Sequence, residues 1–482
     1  MKWPFFILSL FLIVPVSTWL RRNPKHFRIV WGVFGFLPFG LVAIPQLDIA
    51  LIDWSGWPGY TKGVLYSAID AAALAILLTL PKSQRPLPFL TPMLLYLGAV
   101  LLSALHAQIP VAAFFYATQL LRIFLVYFVV ARACAQRAVI PPLLTGLTLG
   151  LCFQAATVLY QRYGLGILQT AGSFGHQNSL GLVSNLVVLP LFALFLSGRT
   201  GWIGVAGPLA GCIIAVLTTS RATLGLLAAG MGLIFLISIK RQLTPHKVGA
   251  GLIGMFLVAV LAPIAVGSFE ARFAKAPIEG EGTYDERVAF VDAAKSMLED
   301  HPFGVGANNF VIVANSGGYF ERAGVTWARG SRGAHVHNIY WLTLAETGYI
   351  GLVALLYLLF RPLKAALTCG WRHREDRRGD LLLGLCVSLL ILYIHCYFEW
   401  IFFFADIQYI FAVNLGMIAG LTEQLGYWHK KESEEEAPSR ESGALIGAEA
   451  GALEPALRRR DDEFWGIAPS DAKPDARAEF ER

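Results

Sequence analysis

Long apolar stretches recur at short intervals along most of the chain. A helix needs about 20 mostly apolar residues to cross the ~30 Å hydrocarbon core of a bilayer. The pattern predicts spans near residues 3–20, 29–47, 63–80, 89–107, 111–131, 139–160, 179–197, 201–218, 222–239, 248–267, 339–360, 380–398 and 405–421. The expected fold is therefore an all-α polytopic membrane protein with about thirteen transmembrane helices.

Basic residues crowd alternate connectors between these spans. They are Arg21, Arg22, Lys25, Arg28, Lys82, Arg85, Arg132, Arg137, Arg199, Lys240, Arg241, Lys247, Arg361, Lys364, Arg372, Arg374, Arg377 and Arg378. Lys and Arg accumulate in cytoplasmic loops, so this side is expected to be cytoplasmic. The amino terminus then lies outside, and the carboxyl-terminal tail lies inside.

The longest connector, residues 268–336, falls on the opposite, periplasmic side. A loop of this length between packed helices is usually functional. Thr283-Tyr-Asp-Glu286 fits a capping box, and the pattern that follows ends at His301-Pro302. The apolar residues at helical spacing in between are Val288, Val291, Ala294 and Leu298. The loop is therefore expected to contain a short amphipathic helix.

Composition supports the membrane assignment. The chain has 482 residues, of which 56% are hydrophobic and 15% charged, whereas an ordinary soluble domain has roughly 25% charged residues. These values exclude a soluble two-domain enzyme and a disordered chain. The six cysteines are scattered, with neither a CxxC pattern nor a Cys/His cluster, so no disulfide framework or zinc site is implied. The net charge of +6 comes mainly from the connectors and indicates no nucleic-acid partner.

These features divide the chain into three regions. Residues 1–171 form the amino-terminal transmembrane helices, and residues 172–421 form a second membrane region that includes the loop 268–336. Residues 422–482 mix runs of both charges with Pro, Ser and Ala. This last region is expected to be a cytoplasmic, largely disordered tail.

Candidate chemistry lies on the outer side. His337 and Asn338 open the span after the long loop and precede Gly348 and Gly351, which would let another helix approach. The alternative is an interfacial histidine in a packing helix.

Two arginines also face outward. Arg221 follows Thr218-Thr219-Ser220 at the outer end of a span, and Arg287 lies in the first turn of the loop helix. Arginines near a helix amino terminus suit a forked clamp on phosphate. The alternative is a salt bridge to Glu270, Asp285 or Glu286.

Two glycine-containing segments are weaker candidates. The segment Gly172–Asn178 includes Gln177 and Asn178 and precedes a span, and its alternative is a glycine turn with a helix cap at Asn178 or Ser179. The pair Gly304 and Gly306 is a weak phosphate-loop signal, and its alternative is a tight turn.

Three charged residues lie within predicted spans: Asp70, Arg122 and Glu346. A charge near the centre of a membrane helix costs about 2.5–3.5 kcal/mol on insertion scales, so each should have a partner or line a wet cavity. We favour a structural Asp70–Arg122 pair over a transport role.

Taken together, these segments resemble the O-antigen ligase and polymerase superfamily of bacterial membrane glycosyltransferases. The matching pieces are Gly172–Gly181, Thr219-Ser-Arg221, Arg287 running into Asp300-His-Pro-Phe-Gly-Val-Gly306, and His337-Asn338 followed by Gly348 and Gly351. The resemblance implies a glycan donor on a polyprenyl diphosphate, such as undecaprenyl diphosphate, used at the periplasmic face of the inner membrane. It also implies inverting transfer to a hydroxyl acceptor with no metal and no cofactor.

Chemical principles assign roles that agree with this resemblance. Arg221 and Arg287 would stabilise the negative charge that develops on the leaving diphosphate. His337 would take the proton of the acceptor hydroxyl, with its ring oriented by Asn338 or by a carboxylate such as Glu399 or Asp406.

Several functions share this chemistry. Transfer to a lipid A core, as in a ligase, ranks first, ahead of a polymerase and of an oligosaccharyltransferase acting on protein hydroxyls. A transporter of the same lipid is a different class, in which Asp70, Arg122 and Glu346 would line a pathway. The outward bias of Arg221, Arg287 and His337 and the lack of matching polar sites on the cytoplasmic side argue against it.

Overall fold

The computed structural model describes residues 2–81, 85–198, 200–275 and 284–428, and most of these residues are helical. The helices are α1 Lys2–Arg22, α2 Phe27–Ala43, α3 Ala68–Leu77, α4 Leu90–Ser103, α5 Pro110–Cys134, α6 Ile140–Leu159, α7 Gln177–Ser197, α8 Ile203–Leu217, α9 Arg221–Arg241, α10 Pro245–Lys275, α11 Tyr284–Asp300, α12 Phe310–Ser316, α13 Tyr319–Arg322, α14 Arg329–Arg332, α15 Ile339–Arg372, α16 Arg377–Phe398 and α17 Ala405–Gln424. The strands are β1 Asp48–Asp53 and β2 Gly63–Ser67.

The helices confirm the class of an all-α polytopic membrane protein. In the described part of the chain, 10 helices are long and apolar enough to cross a membrane. Three further apolar helices are shorter, at Ala68–Leu77, Leu90–His106 and Ile203–Leu217. At 1.5 Å per residue, ten residues reach only about 15 Å, half the thickness of the hydrocarbon core. The predicted count of thirteen spans is therefore not confirmed.

A β-hairpin replaces part of one predicted span. The prediction placed a helix over residues 63–80, but residues 63–67 form β2, which pairs antiparallel with β1 from Asp48↔Ser67 to Asp53↔Gly63. A side chain at Gly63 would collide with the carbonyl of Ile52, so glycine permits the close approach of the two strands. Pairing with β1 gives hydrogen-bond partners to the backbone amides and carbonyls of residues 63–67, which a longer α3 would have paired within the helix.

The core of the bundle forms where small residues let helices approach closely. Helix α2 packs on α6, and α5 packs on α17. A Cβ atom added to Gly35 would meet the carbonyl of Leu143, and one added to Gly420 would meet the backbone of Cys134. Such backbone proximity lets apolar helices pack where lipid supplies no hydrophobic driving force.

The long loop contains more helix than the sequence predicts. Helix α11 confirms the helix expected there, although Thr283 of the proposed capping box lies outside the described residues. The buried face consists of Ala289, Phe290, Ala293, Ala294 and Met297. Val288, which the prediction placed on the apolar face, is 43% exposed. The predicted face is thus partly wrong, because α11 packs against both α13 and α15 and buries neighbouring positions.

Basic residues from the side expected to be cytoplasmic form contacts with one another and with acidic residues at helix ends. Arg85 forms an ion pair with Glu423, and Arg132 donates to the carbonyl of Arg85. Arg241 forms an ion pair with Asp380 at 2.7 Å. The last helix ends at Gln424, and residues 429–482, which contain most of the predicted tail, lie outside the described residues.

Candidate functional site

A buried carboxylate, Glu399, connects three chain segments. The residue directly follows the end of α16, and its side chain is 3% exposed. The Oε2 atom lies 3.1 Å from Nδ1 of His337. The Oε1 atom accepts hydrogen bonds from Nδ2 of Asn178 at 2.7 Å and from Nη2 of Arg287 at 3.2 Å. We call Glu399, His337, Asn178 and Arg287 the Glu399 cluster.

Helix amino termini supply the partners of Glu399. Asn178 lies in the first turn of α7, Arg287 lies in the first turn of α11, and His337 precedes α15. Asn338 caps α15, because its Oδ1 atom accepts from the backbone amides of Tyr340 and Trp341. Helix amino termini favour negative charge, so this convergence makes the region suitable for an anion.

A fourth helix, α9, joins the cluster through its cap. The Ser220 hydroxyl accepts from the amide of Thr223 and donates to Oδ1 of Asn178 at 2.7 Å. Arg221, the first residue of α9, therefore lies one residue from a side chain that contacts Asn178. Its own side chain is exposed. The convergence of Arg221 and Arg287 on one anion stays a prediction.

The turn before α9 has unusual geometry. Thr219 has a φ angle of +48°, a conformation rare for a β-branched residue. Such outliers cost on the order of 1–3 kcal/mol and cluster at functional sites. Here the turn directs Ser220 to Asn178.

Competing effects set the ionisation of Glu399. Burial acts to raise the pKa of its carboxyl, but the hydrogen bond and charge of His337, together with Arg287, outweigh it. The pKa of Glu399 therefore lies below its ordinary value, and the group is a carboxylate at neutral pH. A carboxylate accepts from Nδ1–H of His337, which leaves Nε2 as the basic nitrogen.

The Gly172–Asn178 segment serves as a helix cap and also contributes to the cluster. His176 is the capping residue, with Nδ1 accepting from the amide of Asn178 at 3.3 Å. The cap was expected at Asn178 or Ser179, so its position is corrected. Gln177 is the first residue of α7 and is half-buried.

The loop containing Gly304 and Gly306 packs against α15, and its contacts favour the tight turn over the weak phosphate-loop interpretation. The amides of Val305 and Gly306 donate to the carbonyls of Ala345 and Glu346, and the amide of Gly304 donates to His301. The next amides are also bonded within the protein, at Ala307, Asn308, Asn309 and Phe310. These amides are therefore already used and do not form a cradle for phosphate.

Gly348 also departs from the expectation. Its backbone, with φ +64° and ψ −167°, interrupts the helical geometry within α15. A side chain there would collide with the backbone of Pro302 and Phe303. The glycine thus lets the loop approach α15, where the prediction expected another helix.

The intramembrane charges take structural positions. Arg122 Nε lies 2.7 Å from Oδ2 of Asp70, which also accepts from the amide and hydroxyl of Ser67. Glu346 is buried, with Oε2 accepting from the Tyr60 hydroxyl at 2.7 Å and Oε1 accepting from the amide of Phe310. These contacts favour the structural interpretation of the Asp70–Arg122 pair.

The site includes residues that the sequence did not single out. Ser220 was noted only as a neighbour of Arg221, and Glu399 was one of three options for orienting His337. Asp406, another option, lies instead on a cavity with Tyr60 and Lys62. A carboxylate directly after an apolar span was the available signal for Glu399. Within the described ranges, no group of three or more His, Cys, Asp or Glu side chains is placed to hold a metal ion.

Comparison with known proteins finds a family match over part of the chain. Residues 207–356 match the family described as O-Antigen ligase. This confirms the resemblance to the O-antigen ligase and polymerase superfamily over those residues, which include Arg221, Arg287 and His337. Asn178 and Glu399 lie outside the matched range. No curated protein matches the chain.

Proposed function

We propose that this protein is an inverting membrane glycosyltransferase that moves a glycan from a polyprenyl diphosphate to a hydroxyl acceptor. The observation that carries the proposal is the contact between His337 and the buried carboxylate of Glu399, at a point where four helices begin. A base held by a carboxylate is a recurring arrangement for deprotonating a hydroxyl. The O-antigen ligase match over residues 207–356 supports a membrane glycosyltransferase in general.

The proposed transfer is a single displacement at the anomeric carbon of the donor. The acceptor oxygen forms a bond to the anomeric carbon on the face opposite the diphosphate, and its proton passes to Nε2 of His337. The bond between the anomeric carbon and the diphosphate oxygen breaks, and its electron pair leaves with the diphosphate. Glu399 fixes the ring and stabilises the imidazolium that forms.

Arg287 and Arg221 are assigned to the leaving diphosphate. A guanidinium has five N–H donors, and Arg287 uses Nη2 on Glu399 and Nη1 on the carbonyl of Phe398. Its side chain is 39% exposed, so further N–H groups of the guanidinium can reach a ligand. The amino terminus of α9, where Arg221 lies, adds partial positive charge. Together these groups take the place of a divalent cation, and no cofactor is required.

A ligase-like acceptor, the lipid A core, ranks first, with a growing polysaccharide and protein hydroxyls as alternatives. Glycans from a deletion strain separate the first two, because loss of a ligase leaves lipid-linked polymer and loss of a polymerase leaves single repeats. A transporter is less well supported, since Asp70 and Arg122 form an ion pair and Glu346 accepts a hydrogen bond from the Tyr60 hydroxyl.

The site is assigned to the periplasmic side of the bacterial inner membrane, with the carboxyl-terminal tail in the cytoplasm. A reporter inserted within 314–318 should then be periplasmic, and one fused after Lys431 should be cytoplasmic. Reporters on the same side would contradict this orientation.

The decisive experiment replaces His337 by Ala. Transfer by the purified variant, measured with lipid-linked donor, should fall about 10²–10⁴-fold, the usual contribution of a general base. His106→Ala is the matched control, because His106 is an exposed histidine that stacks on Phe303 outside the Glu399 cluster. Near-normal turnover by His337→Ala would overturn the proposed role.

A further inference from the structure

A cavity of about 430 Å³ with several charged side chains in its wall lies next to chain segments that also carry the Glu399 cluster. The β-hairpin and its turn contribute Asp48, Asp53 and Lys62, and the start of α17 contributes Asp406. Aromatic walls include Tyr60 and Phe174. The volume falls within the range of about 300–1,000 Å³ that is typical of small-molecule sites.

Three chain segments connect the cavity to the Glu399 cluster. The ring centroid of Tyr60 lies 5.6 Å from that of His335, two residues before His337. Phe174 lies on the segment that leads to Asn178. Asp406 lies on the segment that follows Glu399. A ligand in the cavity would therefore contact the same segments that position the proposed base.

The charges of the cavity favour one class of ligand. Three carboxylates face one ammonium group, that of Lys62. Arg122 forms ion pairs with Asp70 at 2.7 Å and with Asp48 at 3.5 Å, so the charge of Asp48 is partly balanced. The preference for one class of ligand therefore rests on the carboxylates of Asp53 and Asp406. Carboxylates accept hydrogen bonds from hydroxyl and ammonium groups, whereas they repel phosphate. Aromatic rings supply apolar surface for the C–H face of a sugar.

We propose that this cavity binds the sugar end of the acceptor, and that it selects a neutral or amino sugar over a phosphorylated one. The identification of this sugar as the acceptor rests on the proposed transferase function. Sugar binding itself does not require transfer, so the two can fail separately. The acidic side chains Asp53 and Asp406 are then specificity-determining residues, because they disfavour a phosphorylated acceptor.

Binding can be measured without any donor. The full-length protein in nanodiscs is tested by saturation-transfer NMR with three probes: glucose, glucosamine and glucose 6-phosphate. Glucose and glucosamine should give signals, and glucose 6-phosphate should give a much weaker one. Asp53→Lys should raise the signal of glucose 6-phosphate on the order of tenfold, because a repelling charge is replaced by an attracting one. Asp53 is exposed, so this substitution leaves the packed core intact.

Glu299→Lys is the matched control, since Glu299 is an exposed acid on α11 that does not line the cavity. It should leave all three signals unchanged. The proposal is overturned if none of the probes binds, if glucose 6-phosphate binds the unaltered protein as well as glucose, or if both substitutions have the same effect. Sugar binding without transfer would instead overturn the proposed function and leave the cavity as a sugar site.

Discussion

The Nδ1 atom of His337 lies 3.1 Å from the Oε2 atom of Glu399, although 62 positions separate the two residues. Glu399 is buried and also bonds Asn178 and Arg287, so one carboxylate fixes three side chains. This arrangement makes Glu399 a positioning residue for the proposed base. Its replacement therefore tests the whole cluster.

Glu399→Gln should lower the transfer rate about 10²–10⁴-fold. The amide keeps the size of the side chain but removes the charge that holds Nδ1–H and stabilises the imidazolium. The rate is measured across pH with purified protein, because loss of the carboxylate should also change the pH profile of the rate. Glu299→Gln, on an exposed acid, should leave the rate unchanged. A Glu399→Gln variant with an unaltered rate and pH profile would contradict the prediction.

Arg287→Ala and Arg221→Ala should each lower transfer on the order of 10²–10³-fold, as expected for the loss of one donor to a developing anion. Arg→Lys should restore little at either position, because an ammonium group cannot make the forked contact. The comparison is made by initial rates with lipid-linked donor. Arg329→Ala, at an exposed arginine of α14, serves as the control. Full rescue by Lys at both positions would argue against a forked clamp.

Asp70→Asn should destabilise the protein and leave the activity of the folded fraction intact. Breaking a buried ion pair costs about 3–5 kcal/mol, because the remaining charge stays buried. Asp70 and Arg122 are both largely buried, with side chains 3% and 11% exposed. Thermal unfolding in detergent measures the effect, and Asp292→Asn in the exposed pair with Lys295 is the control. Unchanged stability with altered lipid movement would instead favour a transport role.

The sequence predicted the helices well because membrane spans impose a strong requirement for length and apolar composition. It failed at residues 63–67, since a short apolar strand before α3 has the same composition as the start of a span. Only pairing with β1 distinguishes the two, and that pairing is a tertiary contact.

The sequence could indicate individual residues of the candidate site, but it could not predict which of them contact one another. His337 and Asn178 could be chosen because they lie where apolar spans begin on the outer side, and Arg287 because it lies in the first turn of the predicted loop helix. Their shared partner could not be chosen, because the contact between Asn178 and Glu399 spans 221 positions. Gly304 and Gly306 show the opposite case, in which a local motif suggested phosphate binding and the tertiary contacts use its amides.

Transfer should persist in excess EDTA. The proposed mechanism balances the diphosphate charge with Arg221, Arg287 and helix amino termini, so it needs no divalent ion. Raised salt should slow the reaction more than chelation does, because exposed guanidinium groups are screened. Initial rates with and without EDTA, and over a series of salt concentrations, provide the measurement. Complete loss on chelation with recovery on adding Mg²⁺ or Mn²⁺ would contradict the assigned role of the arginines.

His335 should make the protein less stable as the pH falls. Its ring is buried, with its centroid 4.2 Å from that of Trp400, and neither ring nitrogen has a hydrogen-bond partner in the described structure. Burial, with smaller effects of His337 and Lys62, lowers the pKa of His335 from 6.5 to about 3. Below pH 6.5 His335 therefore becomes protonated in the unfolded chain but stays neutral in the folded protein.

This linkage predicts that the free energy of unfolding falls by about 2 kcal/mol between pH 7 and pH 5 through His335 alone. His335→Phe keeps an aromatic ring against Trp400 and removes the titration, so its stability should change less over the same interval. Thermal unfolding of both proteins at each pH gives the difference, which cancels the contributions of other groups. His106→Phe, at an exposed histidine, should retain the pH dependence of the unaltered protein. Equal pH dependence in His335→Phe and the unaltered protein would show that His335 takes up its proton in the folded state as readily as in the unfolded chain.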